Sequence, residues 1–266
     1  MFESVPELSG LQPRLMAPAY LGRVLWLLGF PDQAVKRTRD AEVAGQRSTD
    51  PHMKGIGLAL TQDVHVWCGD LDVVREHTQA LLDAPWATEQ NPGFLTRTHI
   101  FRAWLIAREG KPQGIALLRD AIAKRAAFRS ALYSPMYGSL LAEACASLGH
   151  IDEALTVLDE SLPMAETEQH YYEAELHRLR GEVMLMRPDA DRKGAERCFR
   201  KAIDIARSQS AKSWELRATT SLSRLLAKQG KRDEARTILA DIYNWFTEGF
   251  NTADLKDAKA LFGGTE

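Results

Sequence analysis

The sequence predicts an all-α fold: a right-handed α-solenoid, or superhelix, of about six helix-turn-helix repeats closed by a C-terminal capping helix. Three observations predict it. Turn-like glycines recur at near-even intervals at Gly29, Gly69, Gly110 and Gly149, and again at Gly230 after twice that interval. Five residues after each glycine stands a small or modest apolar side chain (Ala34, Val74, Ile115, Ala154, Ala235), with Ala195 supplying the missing member. Between the turns, apolar residues fall at spacings of three and four, and no stretch alternates over the length of a strand. A fixed period of about 40 residues is the mark of a stacked repeat.

Each pair follows from local signals. The first spans 13–28 and 31–47, with Gly29 where a helix end wants positive φ and Pro31 in the next first turn, where no N–H partner is lost. The second spans 52–68 and 71–84 around Gly69, with Asp72 offsetting the dipole of the new helix. The third, 93–109 and 112–127, repeats the Gly110–Pro112 pattern, and the fourth, 134–148 and 151–165, has Ile151, Ala154, Leu155 and Leu158 at helical spacing. The fifth, 171–186 and 192–208, lacks its glycine; Pro188, Asp189 and Asp191 make the turn instead. The sixth, 212–229 and 232–247, places Ala235, Ile238, Leu239 and Ile242 on one face, and a last short helix is expected near 252–262. The chain thus divides into an N-terminal extension over 1–12, a repeat solenoid over 13–250, and a capping helix and tail over 251–266. Trp214, Tyr243, Trp245, Phe246 and Phe250 are expected to pack the last repeat and its cap, because an open solenoid end exposes an apolar face.

The turn glycine, the residue five later, and a small residue seven before the turn (Gly22, Ala103, Ala142, Ser223) resemble the tetratricopeptide-repeat family. This unit is longer than the usual one of about 34 residues. Gln62 and Val183 depart from the small position. A narrower resemblance lies over about 170–262, in Tyr172–Glu182, Ser210–Ala218, Trp245–Phe250 and Asp254–Lys256. These stretches resemble the C-terminal helical-repeat region of bacterial signalling and transcriptional regulators that join an adenylate cyclase or DNA-binding head to an ATPase module. The resemblance implies a coupling role, and allows an adenylate cyclase label inherited without the catalytic domain.

Composition limits the function classes. The 266 residues are 45% hydrophobic and 26% charged, with a net charge of -2, so no global basic field exists for nucleic acid or a membrane surface. The three cysteines, Cys68, Cys145 and Cys198, are far apart and form no CxxC pair, which argues against disulfides and structural zinc. The N-terminus lacks the basic and apolar regions of a signal peptide, so the cytoplasm is expected. Gly110-Lys111-Pro112 echoes a phosphate loop but lacks its first glycine and its hydroxyl, so it reads as a turn. The seven histidines form no ligand pair at helical spacing, and no HExxH or Gly-x-Ser-x-Gly occurs. No enzyme activity, cofactor or metal is expected.

What remains is binding. Projecting the repeat register places Arg23, Trp26, Asp63, Trp67, Arg108, Glu143 and His177 toward a concave groove. The same projection selects Arg97, Trp104, Arg180, Arg217, Arg224 and Lys228 as candidate groove-binding residues. The arginine row suits a carboxylate-bearing or phosphorylated protein or peptide partner. The competing reading pairs these arginines with Glu173, Glu175, Glu182 or Glu215. The mix of Trp104, Arg97 and Glu143 leaves a small-molecule sensor open. Leu11, Leu15, Met16 and Tyr20 at the uncapped first helix suggest a homodimer.

Overall fold

In the computed structural model the described residues are 13–84, 92–126, 134–167 and 170–263. The expected extension over 1–12 and the last residues of the tail, 264–266, lie outside them. Among the described residues there are thirteen α-helices: α1 (Pro13–Leu27), α2 (Pro31–Gln46), α3 (Pro51–Cys68), α4 (Leu71–Leu82), α5 (Pro92–Arg108), α6 (Gln113–Ala126), α7 (Ser134–Ser147), α8 (Ile151–Thr167), α9 (Glu173–Leu185), α10 (Arg192–Ser208), α11 (Lys212–Lys228), α12 (Arg232–Tyr243) and α13 (Ala253–Gly263). They form six antiparallel pairs and a cap. No described residue is in a strand.

The repeat marks carry the structure expected of them. All five turn glycines have φ between +77° and +90°. The residues five later are sealed between the two helices of their pair, from 0% exposure at Ala34, Val74, Ala154 and Ala195 to 6% at Ile115. The glycine-free fifth turn is held by Asp191, whose carboxylate accepts from the Gly194 N–H at 2.8 Å, a side-chain N-cap. Gln62, the departure at the small position, is fully buried. Its amide donates to Thr78 Oγ1 on α4 at 2.9 Å. A hydrogen bond across the pair there replaces the close approach of two small residues.

The superhelix closes on itself. The α1–α2 turn meets the start of α11 and the segment that follows α12. Trp26 packs on Trp214 with ring centroids 4.6 Å apart, and Ser213 Oγ donates to the Trp26 carbonyl at 2.5 Å. Gln33 donates from its backbone N–H and its side-chain amide to the two Glu248 oxygens, each at 3.0 Å. Two glycines permit the seam. A Cβ on Gly29 would stand 2.6 Å from the Trp245 ring, and one on Gly249 would collide with Pro31 Cγ. Both also have positive φ, so no other residue fits without strain.

This closure redistributes the expected cap aromatics. Tyr243 and Phe246 do pack the cap, in a cluster with Leu216, Leu239, Ile242, Leu255 and Ala258. Trp245 turns to Phe30 of the first repeat, 5.5 Å away, and Trp214 lies at the centre of the ring of helices rather than in the cap. α12 ends at Tyr243, short of the expected 247, and beyond it the Trp245 and Phe246 rings both come against Gly29. At the other end Leu15 is core, packed with Ala41, Ile56 and Leu60, whereas Tyr20, Leu21 and Val24 are exposed.

A mixed-charge cavity on the concave face

The inner face is built from first helices, and closure fills its middle. Trp26, Trp67 and Trp214 stack against one another with Tyr172, at centroid separations of 4.6 to 6.4 Å. Trp214 is anchored by its indole N–H, which donates to the Tyr171 carbonyl at 2.8 Å. Tilted and edge-on geometries of this kind add to the burial of large rings. Arg217 lies over both Trp26 and Trp214, 5.0 and 5.1 Å from their centroids.

Arg217 is also the hub of an ion network. Its Nε donates to both Asp254 oxygens at 2.9 Å, Nη1 reaches Glu175 Oε1 at 3.4 Å, and Nη2 donates to the Trp67 carbonyl at 2.5 Å. Arg178 grips Glu175 with two bonds of 2.7 and 2.9 Å. One guanidinium thus joins α3, α9, α11 and α13. Burial acts to raise the Glu175 carboxyl, but Arg178 and then Arg217 outweigh it and hold it low. For Asp254 burial prevails over Arg217 and pushes the group up. The neighbouring Cys68 thiol is pushed up to about 12, first by burial and then by Asp70 and Asp254, so it is inert as a nucleophile.

Beside this network opens a cavity of about 370 Å³. Its walls carry four arginines (Arg108, Arg178, Arg217, Arg224) and four carboxylates (Glu143, Glu175, Asp254, Asp257), with Trp67, Trp104 and Tyr172 between them. Trp104 donates its indole N–H to Glu143 at 3.0 Å. Arg108 pairs with Glu143 at 3.4 Å and Arg224 with Asp257 at 3.1 Å. At 40% and 39% side-chain exposure, these two arginines face the mouth.

The six candidate groove residues separate. Trp104, Arg217 and Arg224 line the cavity. Arg97 does not: it is 3% exposed, ion-paired to Asp63 and donating to Tyr137 Oη at 3.2 Å. Asp63 in turn meets Arg23 at 2.8 Å. Arg180 lies in a different cleft, with Asp159, His177, Arg197 and Lys201, and its Nε donates to Asp159 at 2.7 Å. Lys228 sits near Arg232, Arg236 and Phe262 at the cap. Of the projected positions, Trp67, Trp104, Arg108, Glu143, Arg217 and Arg224 line the cavity, and the row of arginines is broken. The competing pairing holds for Arg217 and Glu175, across repeats rather than along one helix. Arg178, Asp254 and Asp257 escaped the projection: Arg178 by its register, the two acids because they lie on the cap. Among the described residues no helix is long and apolar enough to cross a membrane.

Comparison with known proteins agrees with this architecture. The tetratricopeptide-repeat family model matches residues 135–160 and 216–241. No curated protein matches the chain in sequence. Among solved structures, a Rap protein complexed with Competence and Sporulation Factor superposes with a TM-score of 0.66 at 17% identity, covering 97% of this chain and 68% of that one. TPR-like repeats of a kinesin light chain from Podosopora anserina align with a TM-score of 0.40 at 13% identity, covering 86% of this chain and 92% of that one. None of these matches is an adenylate cyclase. The chain is a helical-repeat solenoid, two stretches of which match the tetratricopeptide-repeat model.

Proposed function

We propose that this chain is a non-catalytic protein-binding and coupling module, the repeat region of a cytoplasmic bacterial signalling regulator, and that its concave cavity receives a short segment of a partner protein. The observation that carries the reading is the cavity wall, four guanidinium groups set among four carboxylates beside aromatic faces. Such a wall recognises both charges of a peptide: a carboxylate can displace Glu143 or Asp257 from Arg108 or Arg224, and a basic group can take the carboxylate so released. Arg178 and Arg217 hold the shape and are not free to turn. The Rap protein of similar fold is complexed with Competence and Sporulation Factor, a precedent for a solenoid of this shape holding a partner. The volume lies at the lower end of the range for small-molecule sites, so it admits the end of a peptide, or alternatively a small zwitterion.

The test is selection of a displayed random-peptide library on the wild-type chain, followed by binding measurements on the doubly substituted R108E/R224E chain and on R180E. Peptides held by wild type and R180E but at least tenfold weaker on R108E/R224E are expected. Equal binding by the double variant would remove the cavity from the reading. No peptide, with a thermal shift produced by small zwitterions and lost in the double variant, would assign the cavity to small-molecule sensing.

A further inference from the structure

Away from the cavity, three side chains with ligating atoms converge between the first two repeats. We propose that Glu42 of α2, His65 of α3 and His77 of α4 form a site for one zinc-class divalent ion that ties the first helix pair to the second. Their ligand atoms all lie within 4.8 Å of one another. His65 Nε2 is 3.0 Å and His77 Nε2 3.8 Å from Glu42 Oε1. A tetrahedral ion with ligand bonds of about 2.0–2.1 Å needs ligand edges of about 3.4 Å. The two edges to Glu42 bracket that value, and the edge between the two imidazoles is within 4.8 Å. Two imidazoles and one carboxylate make a borderline donor set that suits Zn²⁺, Co²⁺ or Ni²⁺ over Ca²⁺ or Mg²⁺, with water completing the shell.

Two further features point to an ion rather than to a hydrogen-bonded pair. Asp70 Oδ2 stands 3.4 Å from His65 Nδ1, behind the ring and away from Glu42. A carboxylate there fixes the tautomer that presents Nε2 to a metal. His77, with its side chain 12% exposed, has no comparable partner: Nδ1 is buried without a hydrogen bond, and Nε2 is beyond hydrogen-bond reach of Glu42. With the proton on Nδ1, Nε2 keeps its lone pair for an ion. The sequence conceals the site because its members lie on three different helices, at no spacing that one helix could bring together.

The second cluster among the described residues, Glu166, Glu173 and His177, offers a single imidazole and serves as an internal control. The experiment is titration of chelator-stripped chain with Zn²⁺ by calorimetry and with Co²⁺ by visible absorption, on wild type, H77Q, E42Q and H177Q, each checked for helicity by circular dichroism. One equivalent of Zn²⁺ should bind, and Co²⁺ should show the intense d–d bands of a four-coordinate site. Affinity should fall more than about a hundredfold in H77Q and E42Q and stay unchanged in H177Q. Absence of binding by the wild type, only octahedral Co²⁺ spectra, or equal affinity in H77Q and E42Q would overturn the proposal. The wild-type Co²⁺ spectrum decides the matter even if a variant misfolds.

Discussion

Two ion networks line the inner face, and they hold the solenoid in different ways. Arg23, Asp63 and Arg97 come from the first helices of three successive repeats, and their side chains are at most 8% exposed. Glu175, Arg178, Arg217 and Asp254 join the fifth and sixth repeats to the cap, and Arg217 reaches back across the ring to the Trp67 carbonyl. Their side chains are 5% to 21% exposed and border a cavity. The first network is a neighbour contact of the kind any solenoid stacks with. The second closes the superhelix, and its exposed edge is where a ligand can meet it. Position in the repeat register is shared; depth of burial separates a structural lock from a binding wall.

The largest expected effect is at Asp63. D63N leaves two buried guanidiniums facing an uncharged amide, and removal of one partner from a buried pair costs about 3–5 kcal/mol. Urea unfolding followed by circular dichroism should show that loss, and a loss below about 1 kcal/mol would erase the distinction between the two networks. R217M should cost less, about 2–3 kcal/mol, because Glu175 keeps its pair with Arg178 and Asp254 is partly exposed. It should also loosen the seam between Trp26 and Trp214, so that the radius of gyration from X-ray scattering rises while helicity stays constant. An unchanged radius would mean that the Trp26–Ser213 and Gln33–Glu248 contacts close the ring without Arg217.

The smallest effect expected is on pH dependence. Burial lowers His77, His99 and His177 from their ordinary value of 6.5, assisted at His99 by Arg102 and at His177 by Lys201. The unfolded chain therefore takes up these protons first. Their contribution is fully present above pH 6.5 and is lost as the pH falls through that value toward the folded ones. Further down, burial works to raise Glu42, but the His65 hydrogen bond and the charges of His77 and His65 keep it below 4.5. Its contribution is present above that value and disappears on further acidification. In chelator, the melting temperature should drop between about pH 7.5 and 5.5, and the drop should flatten in H77Q/H99Q/H177Q. An equal slope in the triple variant would place the proton uptake elsewhere.

Period and local chemistry determined much from the sequence alone. The positive-φ glycines, the sealed residue five positions later, the Asp191 cap and the inward register of Arg23, Trp67, Trp104 and Arg217 all depend on residues within one pair of helices. Their causes act over a few residues or a single turn, so they can be read without a partner in view. Only the tertiary structure decided which inner residues stay open. Closure brings Trp214 onto Trp26, Arg217 onto the Trp67 carbonyl, and Trp245 onto Phe30, between distant parts of the chain. A small rotation repeated at each pair sets that meeting, and no local signal encodes the sum of six rotations. The charge of Arg97 and that of Arg224 look alike in the sequence; one is locked against Asp63 and the other faces the cavity, because burial belongs to the assembled ring.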